Sequence, residues 1–301
     1  MVIRPLAEGV EVLAPAKLNL FLEVLGKRPD GFHELETLMV AIDLHDRLTL
    51  AADDSGQIVL TCDDPSLPTG AENLVVKAAE TLRAEAGPDA SKTLGARISL
   101  EKAIPAQAGL GGGSSDAAAT LVALDRLWNL HTPAGRLREL AGQIGSDVPF
   151  FLDAPVAVCR GRGERVEPLN LNPDTIAGFH AILVCPPVGV RTADAFAGLT
   201  PPDRPEPIEP VIDALRSSDS ERLGRRLFNR LQPVAERIQP ALGRVRAALN
   251  DLGSSVLDGH LMSGSGSAYF GLARNREAAE LAASRLGDLG IGMVRVVRCG
   301  P

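Results

Sequence analysis

Aromatic side chains are scarce: they make up 3% of the 301 residues, with one Trp and one Tyr. A surface that reads nucleic-acid bases by stacking is therefore disfavoured. A basic surplus is also missing, since 31 Lys and Arg stand against 38 Asp and Glu, a formal net charge of −7. That excludes a general nucleic-acid binder, though not a small anion held in a local pocket. Cysteine is sparse and scattered. Cys62, Cys159, Cys185 and Cys299 form no C-x-x-C pair, so neither a zinc site nor a disulfide framework is expected. No apolar run approaches the ~18 residues of a membrane-spanning helix. The first fifteen residues, MVIRPLAEGVEVLAP, lack the apolar core of a secretory signal. A cytoplasmic chain with no membrane partner is the expectation.

Apolar residues make up 45% of the chain and charged residues 23%, enough for a sizeable, mainly aliphatic core. The length favours two domains. Alternating apolar positions predict strands over Val10–Ala14, Leu18–Leu25, Leu35–Ile42, Arg47–Ala52, Gln57–Cys62 and Arg97–Lys102, with Asp/Gly/Pro turns between them. Helical spacing appears over Glu72–Ala86, Ser114–Leu130 and Pro133–Ile144, with Ser114 or Ser115 as the expected N-cap of the second. A hairpin is expected over 155–169, and Leu169–Phe179 reads as a domain boundary. His180–Cys185 follows as a short strand. Thr200–Pro210 reads as a proline-rich loop and 211–251 as helical. A strand, a helix and a strand are then expected over 268–273, 276–289 and 292–298. No regular βαβ rhythm emerges, which favours α+β over a doubly wound sheet.

The most informative stretch is Pro105-Ala106-Gln107-Ala108-Gly109-Leu110-Gly111-Gly112-Gly113-Ser114-Ser115. Its glycines permit left-handed backbone and close approach to a ligand. A helix follows at once, so free N–H groups converge at a positive helix end, the arrangement that binds phosphate. No lysine follows Gly113, so the stretch is not a P-loop, and neither Gly109 nor Gly111 opens a G-x-G-x-x-G register.

This glycine run resembles the phosphate loop of the GHMP kinases. Pro15-Ala-Lys-Leu-Asn-Leu-Phe-Leu22, Arg28-Pro-Asp-Gly-Phe-His-Glu34, Gly145-Ser-Asp-Val-Pro-Phe-Phe151 and Ser263-Gly-Ser-Gly-Ser267 occur in the order of that family. As a set they are similar to the branch that phosphorylates the 2-hydroxyl of 4-diphosphocytidyl-2-C-methyl-D-erythritol, in the non-mevalonate isoprenoid route. The resemblance implies a two-domain fold: an N-terminal domain like the second domain of ribosomal protein S5 over 1–170, and a ferredoxin-like α/β domain over 171–301. It implies ATP, carried as its Mg²⁺ complex, and a small cytidyl substrate. A monomer or weak homodimer is expected.

The resemblance also assigns roles. Residues 105–115, with Asn73 and Lys102, are expected at the nucleotide. Asn73 reads equally well as a residue at the start of a helix, and Ser114 or Ser115 as a hydroxyl near the metal. No residues are assigned as a metal site. Asp147 is the expected base, and it would also suit a helix start. Lys17, alternating with Leu18 on its strand, is the expected partner of that base, although a lone strand lysine ordinarily faces solvent. Asn19, Phe32, His33, Thr192 and Phe196 are the expected substrate contacts. Phe32 and Phe196 would form walls for the cytosine, and core packing is the other reading of both. One departure is Asn229-Arg230-Leu231, where the family often has Asn-Asp-Leu. It reverses a charge.

Overall fold

The computed structural model describes residues 1–89, 92–153, 155–172, 175, 176 and 178–300. Part of the expected boundary segment, positions 173, 174 and 177, lies outside the described residues. The chain folds into two units, and they are interleaved in sequence rather than cut once near 170. The first comprises Met1–Ala16, Leu44–Ile104 and Gly111–Ala154; the second comprises Lys17–Asp43, Pro105–Leu110 and Pro155–Pro301.

In the first unit, strand β1 (Val2–Pro5) pairs antiparallel with the start of β2 (Val10–Lys27). The far end of β3 (His33–Asp53) pairs antiparallel with β5 (Gly95–Glu101), which is flanked in parallel by β4 (Ile58–Cys62). Helices α1 (Leu74–Glu85), α2 (Gly112–Leu127) and α3 (Ala134–Ile144) pack on one another, and a short α4 (Phe150–Asp153) follows. The helix α2 is buried on nearly every side, with Ala117, Ala118 and Ala119 fully covered. Small side chains let its neighbours approach closely. At its end Trp128 Nε1 donates to the Gly95 carbonyl at 3.1 Å.

In the second unit, Leu35–Val40 of β3 pairs with β6 (Val156–Gly161), which forms the expected hairpin with β7 (Arg165–Pro168). A four-stranded antiparallel sheet has the order β10 (Gly259–Met262), β11 (Tyr269–Ala273), β8 (His180–Cys185), β12 (Met293–Arg298). Its core side carries Ile182, Val184 and Tyr269 in one cluster with Leu242, Val245, Leu249, Ala279, Ala282 and Leu286. The last six come from α9 (Ala241–Leu252) and α10 (Arg276–Gly287).

Three local expectations are corrected. Residues 10–27 and 33–53 are single strands, not pairs of strands split by turns. Pro15 keeps an extended backbone inside β2, and Asp46, where a turn is expected, is a buried strand residue held by its own ion pair. The expected helical region 211–251 is four helices, α6 (Glu209–Arg216), α7 (Ser220–Gly224), α8 (Gln232–Ile238) and α9, interrupted by the two-residue strand β9 (Phe228–Asn229) beside β2. Lastly, α2 begins earlier than expected. Its N-cap is Gly111, with a left-handed backbone (φ 72°), not Ser114 or Ser115, which lie within the helix.

Candidate active site

In the first unit the chemistry gathers at the N-terminus of α2. Gly111 makes no side-chain cap, and no acidic residue lies in the first turn. The opening N–H groups of a helix have no acceptor within it. Here a ligand oxygen can take that place. The hydroxyl of Ser115 is fully buried and has no hydrogen-bond partner, and neither has Asp116 Oδ1. A buried polar atom left unpaired is costly unless a ligand or water completes it. The donor set therefore fits a polyphosphate. Among the described residues, no three His, Cys, Asp or Glu side chains form a group that could hold a metal ion. A Mg²⁺ ion carried in with the phosphates would keep mostly phosphate and water ligands and take one or two from the protein, for which the Ser114 and Ser115 hydroxyls lie in the first turn of α2.

Lys102 and Asn73, expected at the nucleotide, are each tied to neighbouring groups of the first unit. Asn73 is the N-cap of α1: Oδ1 accepts from Val75 N at 2.9 Å, and Nδ2 donates to the Pro68 carbonyl at 2.7 Å. Lys102 is nearly buried. It donates to Asp116 Oδ2 at 2.8 Å and to Asp46 Oδ2. Burial opposes the lysine charge, but Asp116 and Asp46 outweigh it and raise the Lys102 pKa. Burial is also the largest influence on Asp116 and raises its carboxyl above the usual carboxylate range, with Lys102 pulling against it. Asp147 lies half-buried in the turn between α3 and α4.

In the second unit Lys17 is only 2% exposed. Residues 14–24 of β2 are buried throughout, so both faces of the strand point inward. The Lys17 ammonium donates to Asn19 Oδ1 and, at 2.7 Å, to the Gly109 carbonyl. Asn19 is fixed in turn, with Nδ2 donating to Thr37 Oγ1 at 2.8 Å and Thr37 donating to the Phe21 carbonyl at 2.6 Å. The small-residue loop 263–267 closes over the same point. Ser263 Oγ donates to the Gly109 carbonyl at 3.0 Å, and Asn229 Nδ2 holds the loop through Met262 O at 2.8 Å and Gly264 O at 2.7 Å. A Cβ on Gly109 would stand 2.1 Å from the Ser263 carbonyl oxygen, and the φ of Gly109 is +77°. Only glycine fits there.

The expected substrate contacts are brought together in part. His33 stacks on Phe196, with ring centroids 5.0 Å apart and an interplanar angle of 23°. Phe196 lies on α5 (Thr192–Ala197), whose Thr192 hydroxyl is 2.9 Å from Ser265 Oγ. Phe32 is 51% exposed, so it does not pack in the core. Its ring lies under the Arg162 guanidinium at 4.8 Å, rather than opposite Phe196. Burial, then the nearby Lys27, lowers the His33 pKa and favours a neutral ring.

Sequence reasoning missed Asp46 and Glu23. Asp46 Oδ1 accepts from Ala103 N at 2.7 Å and from Ile104 N at 2.8 Å. Glu23, with a wholly buried side chain, takes a two-pronged ion pair from Arg230 at 2.9 and 2.7 Å. Burial works against its charge. The Arg230 hydrogen bond and the N–H groups of Glu206 and Val24 overcome that and hold the carboxyl below its usual value. The unusual arginine at 230 thus has its own buried partner. A signal was present: Asp46 shares its parity with Ile42, Leu44, Leu48 and Leu50, which places it on the buried side of its strand.

The family model described as GHMP kinases N terminal domain matches residues 73–159, and the one described as GHMP kinases C terminal matches 211–292. A 4-diphosphocytidyl-2-C-methyl-D-erythritol kinase of Pelotomaculum thermopropionicum is 46% identical over 279 residues, covering 92% of this chain and 93% of its own. Its counterpart in Synechococcus sp. is 41% identical, covering 93% and 90%. Among solved structures, a 4-(cytidine 5'-diphospho)-2C-methyl-D-erythritol kinase superposes with a TM-score of 0.77 at 39% identity, covering 97% of this chain and 99% of its own. A homoserine kinase of Cytophaga hutchinsonii shares the fold, with a TM-score of 0.73 at 21% identity, covering 100% and 98%.

Proposed function

The chain belongs to the 4-diphosphocytidyl-2-C-methyl-D-erythritol kinase branch of the GHMP kinases, and from that premise we propose that it transfers the γ-phosphoryl group of ATP to the 2-hydroxyl of 4-diphosphocytidyl-2-C-methyl-D-erythritol, releasing ADP. The observation that carries the phosphate half of this reading is the uncapped, acid-free N-terminus of α2 with the unpaired Ser115 hydroxyl.

The roles follow from what phosphoryl transfer requires. The substrate oxygen attacks the γ-phosphorus, the bond to the β,γ-bridging oxygen breaks, and the hydroxyl proton must leave. Asp147 is the base that takes that proton. Lys17 is a fixed positive charge that orients the hydroxyl and stabilises the transferring group. Its ammonium is already desolvated and held by Asn19 and the Gly109 carbonyl, so it needs little reorganisation during the reaction. The backbone of 109–115 supplies donors to the ATP phosphates. Mg²⁺, when bound with ATP, neutralises phosphate charge; Ser114 or Ser115 would contribute its protein ligand. His33 reads the polar edge of the cytosine, and Phe32 and Phe196 offer aromatic surface to the base.

The test is a coupled ADP-release assay on the purified protein with the cytidyl substrate, homoserine and mevalonate. The proposal expects turnover on the cytidyl substrate at least ~100-fold above the other two, a ratio within reach when buried hydrogen-bonding groups recognise only one substrate. Equal or greater turnover on homoserine or mevalonate would overturn it.

A further inference from the structure

Lys102 follows directly on β5, and its side chain is 9% exposed between two carboxylates, Asp46 of β3 and Asp116 of α2. The contacts tie three segments of the first unit together. Asp46 anchors the backbone of Ala103 and Ile104 through one oxygen and Lys102 through the other. Gly112, the first residue of α2, lies against the same group: a Cβ there would be 3.0 Å from Ile104 Cγ2 and 3.3 Å from Asp46 Oδ2. Asp116, one turn further along α2, receives the lysine from the helix side.

This arrangement carries an electrostatic problem and its solution. Two carboxylates stand close to the turn whose N–H groups await phosphate. Unopposed, they would repel an incoming polyphosphate and each other, in surroundings that screen poorly. One lysine cancels part of that charge and joins the carboxylates into a single unit. We propose that Lys102 is a positioning residue of the phosphate site: it offsets part of the charge of Asp46 and Asp116 and fixes the first turn of α2 against the end of β5, without touching the nucleotide. The inference rests on the reading that ATP phosphates bind at that turn.

Charge deletion and charge rescue test it. ATP binding is measured by titration calorimetry on the full chain, with steady-state KM for ATP and for the cytidyl substrate. The variants are Lys102→Met, Asp116→Asn and Lys102→Met/Asp116→Asn, each with its thermal midpoint recorded. Lys102→Met leaves Asp46 and Asp116 side by side without their shared cation and is expected to weaken ATP binding about 30-fold while moving the cytidyl KM less than about twofold. Removing one carboxylate as well returns ATP affinity to within about threefold of wild type, because the lost contact is electrostatic and internal. Should Lys102→Met fail to fold, the folded double variant still decides by its ATP affinity. A double variant that binds ATP as weakly as ~30-fold below wild type, as a direct nucleotide contact of Lys102 requires, overturns the proposal. So does a Lys102→Met protein with wild-type ATP affinity. A wild-type protein that binds no ATP would overturn the ATP reading itself, and this inference with it.

Discussion

A lysine on a strand ordinarily lies on the wet face, and alternation alone gave Lys17 no reason to be different. It is buried because β2 has no wet face over residues 14–24, a property of the surrounding sheet that periodicity cannot show. Held by Asn19 and the Gly109 carbonyl, it is expected to act on the chemical step. Lys17→Ala and Asp147→Asn should each lower kcat by roughly 10²–10⁴-fold, with the ATP KM nearly unchanged. Steady-state kinetics on folded variants checks this, and near-wild-type turnover in both would remove the assignment. His33 makes a separate prediction. Its lowered pKa means that the folded protein holds the ring neutral into slightly acidic solution, whereas the unfolded chain protonates it earlier. Protonation therefore works against the folded ring stack, and its contribution is lost as the pH falls through that lowered value. The cytidyl KM should rise on acidification below the usual histidine range. His33→Ala should raise the same KM by about 10-fold and abolish its acid dependence, as expected from losing one hydrogen bond to the base. A KM flat with pH in the wild type would count against a neutral His33 as the reader. Phe32 and His33 were legible as a motif. That His33, not Phe32, faces Phe196 was not, because neighbouring residues on an extended chain point opposite ways and the sequence does not say which way is in.

At the scale of elements, the glycine run was read correctly as a turn into a helix, but its cap was misplaced by several residues. Ser114 and Ser115 are the side chains that usually cap, yet Gly111 turns left-handed and starts the helix with no side chain over its end. The rule failed at the position where an empty helix end is useful. Gly109 supports the loop from the other side. Gly109→Ala would place a methyl 2.1 Å from the Ser263 carbonyl oxygen on a backbone of positive φ, so the loops must part. A loss of about 2 kcal/mol or more is expected from left-handed strain and displacement together, with a raised ATP KM. Denaturant unfolding measures the first and kinetics the second, and a fully stable variant would show that the contact is not maintained. The Glu23–Arg230 pair makes the second prediction at this scale. Arg230→Ala leaves a carboxylate buried with half its partners gone, at a cost of about 3 kcal/mol. Glu23 is held below its usual pKa in the folded state, so its contribution is present at neutral pH and fades as the pH falls through the lowered value. Removing Arg230 should therefore cost most at neutral pH and least in acid. Equal loss at both would mean that the pair packs rather than ionises. The long strands show the same limit of sequence reading: polar residues at Asp43 and Asp46 look like punctuation until a partner 56 positions away, Lys102, makes one of them a core residue.

At the scale of the whole molecule, the chain carries a net charge of −7, so a polyanionic substrate gains nothing from the overall field. Binding is therefore expected to rest on local donors, as the N–H groups at the start of α2 would supply. The α+β class and the order of the motifs were legible because each motif is short and chemically constrained. The interleaving of the two units was not. It arises because β2 and β3 each run through both, so residues 17–43 and 105–110 belong with the C-terminal part of the chain, and no local composition marks such a crossing. Function is the point at which these scales meet, and one measurement addresses it directly. The purified protein is incubated with ATP, Mg²⁺ and 4-diphosphocytidyl-2-C-methyl-D-erythritol, and the products are followed by phosphorus NMR. The account predicts stoichiometric ADP and a new phosphomonoester on the 2-oxygen of the cytidyl substrate, formed at least ~100-fold more slowly when Asp147→Asn replaces the wild type. Phosphate appearing on another oxygen, or ATP left intact beside a folded protein, would contradict it.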